Sequence, residues 1–101
     1  MKHRDIGAVR HFEDGSTSFL GDVLEVALRK TGVKFRVLKA PHFQIVPLNF
    51  RKGWTATEES QLIETARAVG IGATREMVRY RGRYFGPHVV AAGKGLRFYT
   101  L

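Results

Sequence analysis

Apolar residues recur along this chain at two different periods, and the switches between them mark out its elements. Phe19, Leu20, Val23, Leu24, Ala27 and Leu28 fall at helical spacing and predict an amphipathic helix from about Ser18 to Lys30. Ser18 suits its N-cap, Glu25 and Arg29 form an i,i+4 pair, and Gly32 suits the left-handed position after its end. A second helix is expected from Thr55 to Val69, before Gly70. Thr55-Ala56-Thr57-Glu58 reads as a capping box, and Leu62, Ile63, Ala66 and Val69 supply the buried stripe. Elsewhere the period shortens to two. Ile6–Phe12, Val33–Lys39 and Phe43–Leu48 read as strands, the first closed by a turn at Glu13–Ser16 and the second broken at Ala40-Pro41. Pro47 places the third at an end or an edge. Thr74–Phe85 is either one long strand or a hairpin turning near Gly82. Val89–Ala92 and Leu96–Leu101 flank Gly93-Lys94-Gly95, which suits a type II′ turn.

The resulting order, strand–helix–strand–strand–helix–strand with an extra C-terminal hairpin, matches the ferredoxin-like α+β plan. That plan places two helices on one face of an antiparallel sheet and leaves the other face open for a ligand, a protein partner or a second copy. With 101 residues and no linker, low-complexity tract or clear repeat, one domain spanning 1–101 is expected.

Composition narrows the classes. A hydrophobic fraction of 44% argues against disorder, and the lack of cysteine excludes disulfide scaffolds, thiol catalysis and cysteine-ligated zinc. No apolar run approaches a membrane span and Met1–Asp5 is too polar for a signal peptide, so a cytoplasmic protein is expected. His3, His11, His42 and His88 are scattered without ligand spacing, so no metal and no cofactor is expected. Charge changes the picture most. The net charge is +8, and it is segregated: residues 29–54 carry seven basic residues and no acid, and residues 77–101 carry five and no acid. Residues 1–28 and 55–76 each have a net charge of −2. The positive charge therefore falls in the predicted strands and their turns.

The strongest local pattern is Met77–Tyr84. Alternation puts Arg79, Arg81 and Arg83 on one side of a strand and Val78, Tyr80 and Tyr84 on the other. Arginine forks grip phosphates and aromatic rings stack on unpaired bases. With Lys34, Arg36, Lys39, Arg51, Lys52 and Arg97, these residues predict a non-catalytic nucleic-acid-binding protein, for RNA or single strands, acting through its sheet and basic loops. It is not an RNA-recognition motif, because Arg83 stands where that family needs an aromatic residue. Trp54 is expected to cover the edge of the core.

Three other readings attach to short motifs. Gly93-Lys94-Gly95-Leu96-Arg97, with Pro41–Val46 and Val69–Gly72, resembles the C-terminal lid domain of acyl-adenylating enzymes of the phenylacetate–CoA ligase type. The resemblance implies that Lys94 steadies carboxylate and phosphate during adenylation. It implies a separate lid subunit, since their large ATP-binding domain has no counterpart here. Gly32…Arg36…Ala40-Pro41-His42 is similar to HicA-type mRNA interferases, with Ala40-Pro41 in place of Gly-Ser. On that resemblance His42 or His88 acts as base in a small toxin-like ribonuclease, with Arg81 or Arg83 on the phosphate. A small inhibitor, for example phage-encoded, would instead turn the basic surface towards acidic protein.

Overall fold

The computed structural model describes residues 4–6, 9–11, 17–38, 42–49, 51–81 and 90–101. Within them the chain runs β1 (Arg4–Asp5), β2 (Val9–His11), β3 (Thr17–Phe19), α1 (Leu20–Arg29), β4 (Phe35–Leu38), β5 (Gln44–Pro47), α2 (Ala56–Ala68), β6 (Ile71–Arg81) and β7 (Val90–Thr100). The class is α+β, with two helices against an antiparallel sheet, and the order of elements fits the ferredoxin-like plan.

The sheet runs β6–β7–β5–β4, and β1 pairs with the C-terminal end of β7 on the edge that β5 also uses. The C-terminal strand is thus central. β6 and β7 pair over their full lengths, from Ile71↔Thr100 to Arg81↔Val90. The expected turn at Gly93-Lys94-Gly95 does not form there, because all three residues lie inside β7, opposite Val78, Met77 and Glu76. Gly93 and Gly95 are buried, and close packing accounts for the second. A Cβ on Gly95 would run into the Ile45 carbonyl oxygen and come within 2.8 Å of Val78 Cγ2 and 3.0 Å of Val46 Cγ1. The alternative turn near Gly82 lies outside the described residues, as do the expected breaks at Glu13–Ser16 and Ala40-Pro41.

Two further boundaries differ from the periodicity. Within the expected first strand, Ile6–Phe12, only Val9–His11 is assigned to a strand among the described residues, and a separate two-residue strand, β1, precedes it. The first helix begins at Leu20 rather than Ser18, because Thr17–Phe19 pairs with β2 (His11↔Thr17, Val9↔Phe19) and Ser18 stands in that ladder instead of capping. The second helix starts where expected, with Thr55 as N-cap and a complete capping box. Gly32 and Gly70, after the two helices, take φ of +81° and +82°.

The core lies between the helices and one face of the sheet. Leu24 and Leu28 of α1 and Leu62 and Ala66 of α2 are buried together with Phe35, Phe43, Ile45, Ile71, Leu96 and Phe98. Phe43 and Phe98 meet edge to face at 5.7 Å, a contact worth about 1 kcal/mol beyond the area buried. Gly21 lets α1 settle onto that pair, since a Cβ there would lie 2.6 Å from Phe43 Cδ2. Ile6 is wedged at the junction: its N–H donates to Phe98 O and its carbonyl accepts from Phe43 N, both at 3.2 Å. Val23, placed in the apolar stripe by periodicity, is 53% exposed, because α1 buries only one narrow row.

The face away from the helices is not bare. Val46 and Val78 are fully buried there, on either side of Gly95, and the Gln44 amide reaches over β7 to Glu76 Oε1 at 2.6 Å.

Candidate anion-binding pocket

Along β6 the residues on the helix-facing side are Ile71, Ala73, Arg75, Met77 and Arg79. Ile71 is buried and Ala73 packs against the core, but Arg75 and Arg79 are exposed and Met77 is 63% exposed. The helices therefore cover only the first part of the β6–β7 ribbon. Where they give out, the floor of the sheet is left as a recess beside the start of α2.

The loop before α2 forms one wall. Asn49 Oδ1 accepts from the N–H groups of Arg51 (3.0 Å) and Lys52 (3.2 Å), and Gly53 N–H donates to the Asn49 carbonyl at 2.8 Å. This side-chain-mediated turn leaves both cationic side chains exposed. Trp54 then pins the loop: it is half-buried against the core, as expected, and its indole N–H donates to Lys34 O at 3.0 Å. One turn into α2, Glu59 forms an ion pair with Arg75 on β6 and closes the second wall. Lys94 comes from β7, opposite Met77.

Together Arg51, Lys52, Arg75 and Lys94 surround a cavity of about 550 Å³ floored by Pro47 and Gly95, with Trp54 and Glu59 also in its walls. Four cations against one carboxylate leave a net local charge of +3. All four cationic side chains are exposed, so holding them near each other costs little desolvation. The arrangement suits a multiply charged anion: two planar forks and two ammonium groups supply donors from three segments far apart in sequence.

Of the residues singled out from sequence, Arg51, Lys52 and Lys94 come together here, although Lys94 was reached only through the lid resemblance. Arg79 lies further along the same face of β6, exposed, and Lys34 is exposed just ahead of β4. Arg36 and Arg97 are on the opposite face, half-buried and already engaged in contacts. Arg81 pairs with Val90 in the ladder, its side chain outside what is described. Lys39, Arg83 and His88 lie outside the described residues. His42, half-buried and engaged in a contact of its own, sits in a bend before β5 and is not part of the pocket. Arg75 and Glu59 were missed. Arg75 was legible in principle, since it shares alternation with Arg79, but its segment is acidic overall.

Among the described residues no three His, Asp or Glu side chains are placed to share a metal ion, and no helix is long and apolar enough to cross a membrane. No protein-family model, no curated protein and no solved structure matches the chain.

Proposed function

We propose that this protein binds nucleic acid, RNA or a single strand, without cutting it, and that the pocket and the exposed ribbon beyond it are the contact surface. The observation that carries the reading is the convergence of Arg51, Lys52, Arg75 and Lys94 on one cavity. Solvent-exposed cations gathered against a sheet floor gain little for stability, because exposed ion pairs contribute only about 0–1 kcal/mol each. They do attract phosphates. Arg79, on the same face as Arg75, continues the positive track along the ribbon. Phosphate contacts release counterions, so affinity is set largely by charge and falls with salt.

A labelled single-stranded 20-mer, RNA or DNA, titrated by fluorescence anisotropy between 50 and 200 mM salt tests this. Neutralising about four phosphates gives a log–log slope near −3, or about a 60-fold loss of affinity over that range. The double variant Arg51→Ala/Lys52→Ala should flatten the slope by about 1.4. Absence of binding at 50 mM, or a slope near zero, sinks the reading. The RNA should be recovered full-length; cleavage that disappears in His42→Ala would favour the ribonuclease instead.

A further inference from the structure

The pocket is more concentrated than strand binding alone requires. A backbone track needs one cation per internal phosphodiester, spaced along a groove. Here four cations face one recess, and its floor is closed by the sheet at Pro47 and Gly95. A continuing strand can cross the mouth of such a recess, whereas a terminal phosphate can enter it. The cavity, about 550 Å³, is the size of a small-molecule site and suits one nucleotide rather than a run of them.

Charge points the same way. An internal phosphodiester brings one negative charge and two free oxygens. A phosphate monoester brings about −1.5 to −2 at neutral pH and three strong acceptor oxygens. The latter is the better match for a local charge of +3 with two guanidinium forks. Glu59 does not oppose this arrangement. Its ion pair with Arg75 holds a guanidinium that carries five N–H donors, more than one carboxylate uses. Arg75 is the positioned member of the set, while Arg51 and Lys52 ride on a loop fixed by Asn49.

We propose that the pocket is a phosphate-monoester site, taking the phosphorylated end of a nucleic-acid strand or a free mononucleotide, with Lys94 and Arg75 as the gripping residues. The inference rests on the nucleic-acid reading above, and the test separates the two. Three single-stranded 12-mers of one sequence are compared at 150 mM salt: 5′-phosphorylated, 3′-phosphorylated, and hydroxyl at both ends. One phosphorylated strand should bind at least tenfold more tightly than the hydroxyl strand. That gain should vanish in Lys94→Ala and in Arg75→Ala, both exposed positions, with far-UV circular dichroism confirming an unchanged fold. A nucleoside 5′-monophosphate should compete the gain away, whereas the unphosphorylated nucleoside should not. Equal binding of all three strands with no competition overturns the monoester site and leaves the nucleic-acid reading standing. Binding of the mononucleotide alone, lost in Lys94→Ala, upholds the site and overturns the strand reading. Failure of every ligand to bind at 150 mM overturns the monoester site, and failure that persists at 50 mM overturns the nucleic-acid reading as well.

Discussion

Gly95 is the residue on which the architecture of the pocket and the packing of the sheet both depend. Its helix-facing side helps floor the cavity, and on the other side the side chains of Val46 and Val78 close over its Cα. A methyl group at this position would collide with the Ile45 carbonyl oxygen, which belongs to the neighbouring strand's backbone and cannot swing aside. Gly95→Ala should therefore destabilise the protein by about 2–3 kcal/mol, the upper range for forcing extra volume into a packed site. Urea denaturation checks it; a change below about 0.5 kcal/mol would show that β5 and β7 are free to spread. Lys94→Ala, one residue away but exposed, should leave stability within about 0.5 kcal/mol of the parent. The contrast between neighbours separates a residue that holds the sheet from one whose proposed role is to bind a ligand.

At the scale of elements, α2 is the one most clearly specified by its own sequence. The Thr55 hydroxyl accepts from Glu58 N–H at 3.1 Å, and the Glu58 carboxylate accepts from Thr55 N–H at 2.9 Å. Thr55→Ala should cost about 1 kcal/mol, and adding Glu58→Ala should cost less than the sum of the two single changes. A double-mutant cycle by chemical denaturation reads this coupling; strict additivity would mean that the box contributes nothing as a unit. The capping box was legible because all its parts lie within four residues. The start of α1 was not, because Ser18 looks like a cap locally and only its ladder partner Arg10, eight positions earlier, makes it a strand residue. Gly93-Lys94-Gly95 failed in the same way: two glycines around a lysine suit a turn until β6 on one side and β5 on the other demand closely packed strands. The pocket was half legible. Arg51 and Lys52 stood out in an acid-free block, whereas Arg75 was hidden among glutamates, one of which turns out to be its partner.

For the molecule as a whole, the position of β7 makes a claim that can be tested by rewiring the chain. In the ferredoxin-like plan the strand before the first helix occupies the centre of the sheet; here β7 stands there, between β6 and β5, with both neighbours antiparallel. Read from β7 onwards, the chain becomes β7–α1–β4–β5–α2–β6, the plain ferredoxin-like order, with β1 to β3 lying between β7 and α1. Arg4 pairs with Thr100, so residues near the two ends are adjacent. A linker of about five residues from Leu101 to Met1 spans such a gap without strain. A permutant joined there and opened between Arg81 and Val90 should keep the same far-UV circular dichroism and a single cooperative unfolding transition. It should fold more slowly, because β6 and β7 become the most distant elements in sequence. Lengthening that loop closure from about nine residues to about ninety costs about 2 kcal/mol, offset in part by the new link. The permutant should also retain salt-dependent binding of single strands, since the pocket draws on the loop, α2, β6 and β7 without using the cut. If β7 instead lay at an outer edge, the linker would have to cross the sheet and the permutant would not unfold cooperatively. A broad, non-cooperative transition from such a permutant would therefore overturn the central placement of β7 between β6 and β5.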